Sequence, residues 1–228
     1  MESFRYVDIF ATKGIEYIIV MAFLAAFVCF SRYLSHRPPA PAGRPRTFVD
    51  YFRVPDGFLF HQGHSWFKED GREVVTIGMD DFAQRFLGRI DEVCLPHMGA
   101  RLRQGEKSWS LIAESRIIPM LSPVDGEVVA VNAAALRSPE VINEDPYGNG
   151  WLLKVKATKM EANTRNLLSG NVARTWTMES LNGIRMQNGE SLGLVYQDGG
   201  APVSGMAKAL YGEEWDEEVR KLFLTQGE

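Results

Sequence analysis

A chain of 228 residues, 45% of them hydrophobic, is long enough to bury one good-sized core and to leave an appendage over. Its 25 basic and 29 acidic side chains give a formal charge of -4, so no overall positive field is present to hold nucleic acid. Two cysteines, Cys29 inside an apolar run and Cys94 in a strand-like stretch, supply neither a disulfide framework nor a thiolate metal cluster, and both read as small buried hydrophobes.

The first predicted element is a helix. Tyr17 to Phe30 (YIIVMAFLAAFVCF) is an unbroken apolar or aromatic run, and counting outward from Gly14 to Leu34 gives roughly a bilayer's length at ~1.5 Å per residue. Residues 1–34 are therefore expected to form a single transmembrane anchor embedded through residues 14–34. A cleaved signal peptide is the rival, but Glu2 and Asp8 offset Arg5 and Lys13 ahead of the run. After it, Arg32, Arg37, Arg44 and Arg46 precede the next acid, Asp50, which places the carboxy-terminal domain on the cytoplasmic side of an inner membrane. Glu16 near the outer end is explained by proximity to the headgroups, though an intramembrane acid can also mark a contact with another membrane subunit. Residues 35–57, beginning SHRPPAPAGRPR, read as a stiff spacer rich in Pro and Arg.

Residues 58–160 change to short period-two runs such as Glu73–Gly78, Leu111–Ala113, Gly126–Val131 and Trp151–Val155, which predict a mainly β sandwich. One short helix interrupts them: Asp80 and Asp81 stand at its start, Phe82, Phe86 and Leu87 on one face, and Gly88 at its end. His61 and His64 sit three apart in a glycine-containing loop, with no third metal ligand evident nearby. Residues 161–228 predict a small helical extension. In it Leu167, Leu168, Val172, Trp176 and Met178 recur at helical intervals broken near Ser169 and Gly170. Gly212 to Phe223 then forms an amphipathic helix whose packing face is Trp215, Val219, Leu222 and Phe223. No Ser-His-Asp order, phosphate loop or clustered acid pair points to an enzyme.

Three stretches in order carry a family resemblance over roughly His64 to Thr175: HSWFKEDGREVVTIGMDDFAQRFLGRIDEVCLPHMG, SPVDGEVVAVN and SPEVINEDPYGNGWLLKVKA. Together they resemble the glycine cleavage H protein, a lipoyl-domain family. The resemblance implies a flattened sandwich of two sheets, a barrel-sandwich hybrid, presenting a lysine at the tip of a β hairpin. Joined to lipoic acid as an amide, that lysine forms a swinging arm, and the cofactor performs the chemistry.

Here the lysine is missing. Between Gly105-Glu106 and Ser122-Pro123 the chain reads KSWSLIAESRIIPML, and no lysine occurs between Lys107 and Lys154. Ungapped counting puts Ser115 at the modified position; matching the family's Glu-Ser pair to Glu114-Ser115 puts Ile117 there. Arg116 is no substitute, because a guanidinium stays protonated and is a poor acyl acceptor. No lipoate is expected, nor any other cofactor or metal. The apolar stretch that follows, Ile117, Ile118, Met120 and Leu121, either packs over the sheet or forms a patch for docking a partner. The expected function is that of a non-catalytic, membrane-anchored subunit that assembles with other membrane-complex subunits, a redox complex being one setting. The alternative is a lipoyl carrier modified at an atypical residue.

Overall fold

The computed structural model describes residues 9–35, 47–71, 73–188 and 203–226. It divides into two compact units, Met1–Arg44 and Pro45–Glu228.

In the first unit α1 spans Ile9–Ser35. Tyr17, Ile18, Met21, Phe23, Phe27 and Phe30 are all exposed. The expectation of a transmembrane anchor, and with it that of an inner-membrane location, is corrected here: among the described residues no helix is long and apolar enough to cross a membrane. The physical reason lies in the uninterrupted run. Tyr17 to Phe30 is fourteen residues, or roughly 21 Å of helix at 1.5 Å per residue, against a hydrocarbon core of about 30 Å. The longer count required Glu16 and Arg32 inside the span, where charge is costly.

The second unit is β-rich, as expected, and all its strand pairs are antiparallel. Its largest sheet contains β3 (Leu59–Phe60), β4 (Ser65–Glu69), β5 (Val74–Met79), β7 (Arg101–Leu102), β10 (Gly126–Val131) and β11 (Leu153–Ala157), in the order β3-β4-β5-β11-β10-β7. A three-stranded sheet is ordered β6-β8-β9, from Glu92–Cys94, Lys107–Ala113 and Arg116–Leu121. Alternation decides what each strand buries. In β8, Trp109, Leu111 and Ala113 face inward, and in β9 Ile118 and Met120 join them, with Leu111 directly opposite Ile118. They meet Phe67, Ile77, Leu153 and Val155 of the larger sheet in one core.

Between the sheets' strands α2 (Asp81–Leu87) is capped as its sequence predicts: an Asp80 carboxylate oxygen accepts from the Ala83 N–H at 2.7 Å, and Gly88 closes the helix at φ 83°. A Cβ on Gly88 would stand 2.7 Å from the Cα of Gly205, so that glycine also admits the backbone leading into the helix Met206–Tyr211. Trp66 turns to the opposite face of the large sheet, where Val49, Val54, Phe58, Phe60 and Ala173 form a second cluster.

Two boundaries differ from the sequence reading. Strands β1 (Phe48–Val49) and β2 (Phe52–Arg53) form a small hairpin inside the stretch expected to be spacer. The Arg53 N–H donates to the Asp81 carboxylate at 2.7 Å, and Phe52 is wholly buried, which ties this hairpin into the domain. Short helices α3 (Ala133–Arg137), α4 (Glu140–Glu144) and α5 (Met160–Thr164) follow β10 and β11. The extension then contains an 18-residue helix, α6 (Gly170–Gln187), with α7 (Met206–Tyr211) and α8 (Trp215–Leu222) beyond it. Cys94, expected to be buried, is exposed, because β6 is a sheet edge whose middle residue Val93 alone turns inward. Cys29 is exposed on α1.

Candidate functional site

The β8–β9 hairpin is closed by two residues, Glu114 and Ser115, with φ of 46° and 65°. Positive φ at both central positions is the primed turn whose twist matches that of the flanking strands. Ser115 therefore sits in the turn itself, and Ile117 is the second residue of β9, paired with Ile112. Neither position carries an amine.

The turn is pinned from two sides. The Glu114 N–H donates to the Asp91 carboxylate at 2.8 Å, and Lys208 of α7 forms an ion pair with the Glu114 carboxylate. The hydrogen bond to Glu114 raises the Lys208 ammonium pKa above the usual lysine value. On the β9 side, Arg116 lies 4.0 Å from the Asp216 carboxylate, and Arg220 donates to the Ile117 carbonyl at 3.1 Å while standing 3.3 Å from the same Asp216. Contacts from the chain's last two described helices thus converge on the hairpin. Asp91, Lys208 and Asp216 carried no local signal, because each meets the hairpin from a segment distant in sequence.

Of the four apolar residues considered for docking, Ile118, Met120 and Leu121 are buried, whereas Ile117 is 58% exposed. Strand alternation explains Ile118 and Met120, which point into the core, while Ile117 points away from it. The apolar stretch is mostly packed, and what it presents to solvent is Ile117.

His61 and His64 are structural neighbours of the core. His64 is fully buried, its ring Nδ1 2.9 Å from Asp80 and its plane stacked on Phe82 at a centroid distance of 4.9 Å. Trp176 and Phe223 also pack against the ring. His61 accepts the Gly63 N–H at Nδ1 and has its pKa lowered, first by burial and then by the nearby His64. Among the described residues no group of three or more His, Cys, Asp or Glu side chains is placed to hold a metal.

Two facing antiparallel sheets, an inserted capped helix and a tight hairpin projecting from the smaller sheet define a β-sandwich of the lipoyl-domain class. The profile of the glycine cleavage H-protein matches residues 58–180, more than half of the sequence. The chain belongs to the glycine cleavage H-protein family. It is 37% identical over 103 residues to the glycine cleavage system H protein of Marinobacter nauticus, covering 45% of this chain and 79% of that one. Against the Carboxydothermus hydrogenoformans H protein it is 38% identical over 116 residues, 51% of this chain and 88% of the relative. The crystal structure of the Mycobacterium marinum H protein superposes with a TM-score of 0.49 at 27% identity, over 57% of this chain and 99% of that one. Residues 1–57 and 181–228, which include α7 and α8, lie outside the matched profile.

Proposed function

We propose that the chain is an H-protein-fold docking module that carries no lipoyl arm on its hairpin and acts by binding a partner protein. The observation that carries this reading is the tip itself: a two-residue turn of Glu114 and Ser115, in a hairpin with no lysine between Lys107 and Lys154. The contacts of Lys208, Arg220 and Asp216 support it, because they restrain the hairpin where a carrier needs its arm to move. Intact-protein mass spectrometry after co-expression with a lipoyl ligase and lipoate is the test. An unmodified mass is the expected result; a lipoyl adduct sinks the reading.

A second reading keeps the carrier function with a displaced acceptor, and one contact favours it. The Lys208 amine is held against Glu114 and is about half exposed, so a lysine does reach the tip, from α7 rather than from the hairpin. Family membership supports the same reading. Its mark is a lipoyl adduct that maps to the Lys208 peptide and disappears in Lys208→Arg.

A further inference from the structure

We propose that the loop of residues 61–64 is an acid-sensitive clasp that holds the C-terminal end of α8 against the end of β9 and lets go when the His61 ring gains a proton. The loop stands where three elements meet. At α2, the His64 Nδ1 is 2.9 Å from the Asp80 carboxylate. At β9, the hydroxyl of Ser65, which follows the loop, donates to the Leu121 carbonyl at 2.8 Å. At the end of α8, Phe223 packs on the His64 ring. The clasp thus joins the family-matched sandwich to the extension beyond residue 180.

Gly63 is the point of closest fit. A Cβ there would stand 2.9 Å from the Phe223 carbonyl oxygen and 3.2 Å from both the His61 Nδ1 and a Leu121 methyl, so its backbone is wedged between the two ends. Its N–H donates to the His61 Nδ1 at 3.0 Å. A proton on that nitrogen turns the acceptor into a second donor and leaves the buried Gly63 N–H facing it unpaired. Among the described residues the charge that acts on the His61 ring is that of His64, and burial foremost, then His64, holds the ring's pKa below the usual 6.5. The Asp80 carboxylate of α2 faces His64 instead, and Arg220 of α8 is engaged with the Ile117 carbonyl and Asp216. Leu121 of β9 and Trp176 of α6 bring no charge to the loop. The clasp is therefore shut above 6.5 and opens as pH falls through that value toward the folded pKa.

A short path carries the disturbance to the hairpin. Phe223 caps α8, and two residues on the Thr225 N–H donates to the Arg220 carbonyl at 2.9 Å. Arg220 in turn donates to the Ile117 carbonyl at 3.1 Å. Moving the Phe223 carbonyl shifts this cap, and with it the guanidinium that rests on β9. The body of α8 stays in the core through Trp215 and Val219, so the opening is confined to its end.

The test follows the amides of the isotope-labelled full chain by NMR as pH is lowered through 6.5. Those of Gly63, Thr225 and Ile117 are expected to shift with one common midpoint below that value, while Val75 and Val155 in the central strands hold still. Exchange protection at Gly63 and Thr225, corrected for the intrinsic effect of pH, should fall by up to about tenfold one unit below 6.5, the factor supplied by proton uptake in the opened loop. His61→Asn keeps an acceptor without titrating, and should leave all three amides unmoved and protected. His61→Phe keeps a ring without an acceptor, and should show the lower protection already at neutral pH. Shifts that stop at Gly63 without reaching Thr225 and Ile117, or an unchanged pH profile in His61→Asn, would overturn the proposal. Protection that rises in acid would overturn it too, since it marks an imidazolium that donates to the Phe223 carbonyl and tightens the junction. The clasp does not depend on the docking reading: a lipoyl adduct on the intact chain removes that reading and leaves the clasp to stand or fall on these titrations.

Discussion

Gly78 shows how much one missing methyl can matter. A Cβ there would lie 2.4 Å from the Trp66 indole, whose Nε1–H already donates to the Met79 carbonyl at 2.8 Å. Gly78→Ala must push the indole off that bond or move a central strand, and overpacking of this kind costs about 1–3 kcal/mol. In a domain of this size that amounts to a fall in melting temperature of roughly 2–12 °C, checked by calorimetry; an unchanged melting temperature would show that the site is looser than its geometry. His61 gives a pH dependence of definite sign. Its folded pKa lies below the ordinary 6.5, chiefly through burial, so its contribution to stability is complete above that value and is lost as pH falls through it toward the folded pKa. Urea midpoints should therefore drop between neutral and mildly acidic pH, and His61→Asn, which keeps an acceptor for the Gly63 N–H, should flatten the drop. The capping role of Asp80 was legible because a cap acts within three residues. The same side chain's bond to His64 spans sixteen residues and left no local trace.

Among the elements, the β8–β9 hairpin was the most legible and α8 the least fully so. The period-two pattern located only Leu111–Ala113 of β8, the hairpin was what the family resemblance implied, and the lysine-free stretch was plain from the sequence alone. What the pattern left open was whether Ile117 to Leu121 packs or projects, since a mixed run of apolar residues satisfies either case until its register is known. The register with β8 supplies the answer by turning Ile118 and Met120 inward. For α8 the amphipathic face was readable, with Trp215, Val219 and Phe223 at the buried positions, but not what that face covers. It covers the main core, and Phe223 at its end touches the His64 ring. Phe223→Ala should consequently cost about 3–5 kcal/mol, the range for a fully buried phenylalanine, although the residue lies outside the family-matched segment. A urea titration with an unchanged slope would register the loss as a lower midpoint. A change under about 1 kcal/mol would mean that α8 rests on the sandwich without helping to hold it.

At the scale of the molecule, the sequence divided into segments with different compositions, and only some of those divisions are physical. The apolar run of α1 does belong to a unit separate from Pro45–Glu228. The division at residue 58 and the one near residue 161 do not separate cores: Phe52 on one side and Trp215, Val219 and Phe223 on the other are part of the same buried cluster as Phe67 and Val155. Composition marks where a pattern changes, whereas a core is defined by which surfaces meet, and the latter depends on contacts more than a hundred residues apart. The consequence is testable without mutation. If α8 and the central strand β11 share one core, their protected amides should exchange through the same global opening, with free energies that agree within about 1 kcal/mol and fall in parallel as denaturant is added. Native-state hydrogen exchange on the full chain measures both together. A set of α8 amides that opens several kcal/mol below β11, with a small denaturant slope, would instead make the extension a separately melting appendage. In that case the contacts of Lys208, Arg220 and Asp216 with the hairpin would be intermittent.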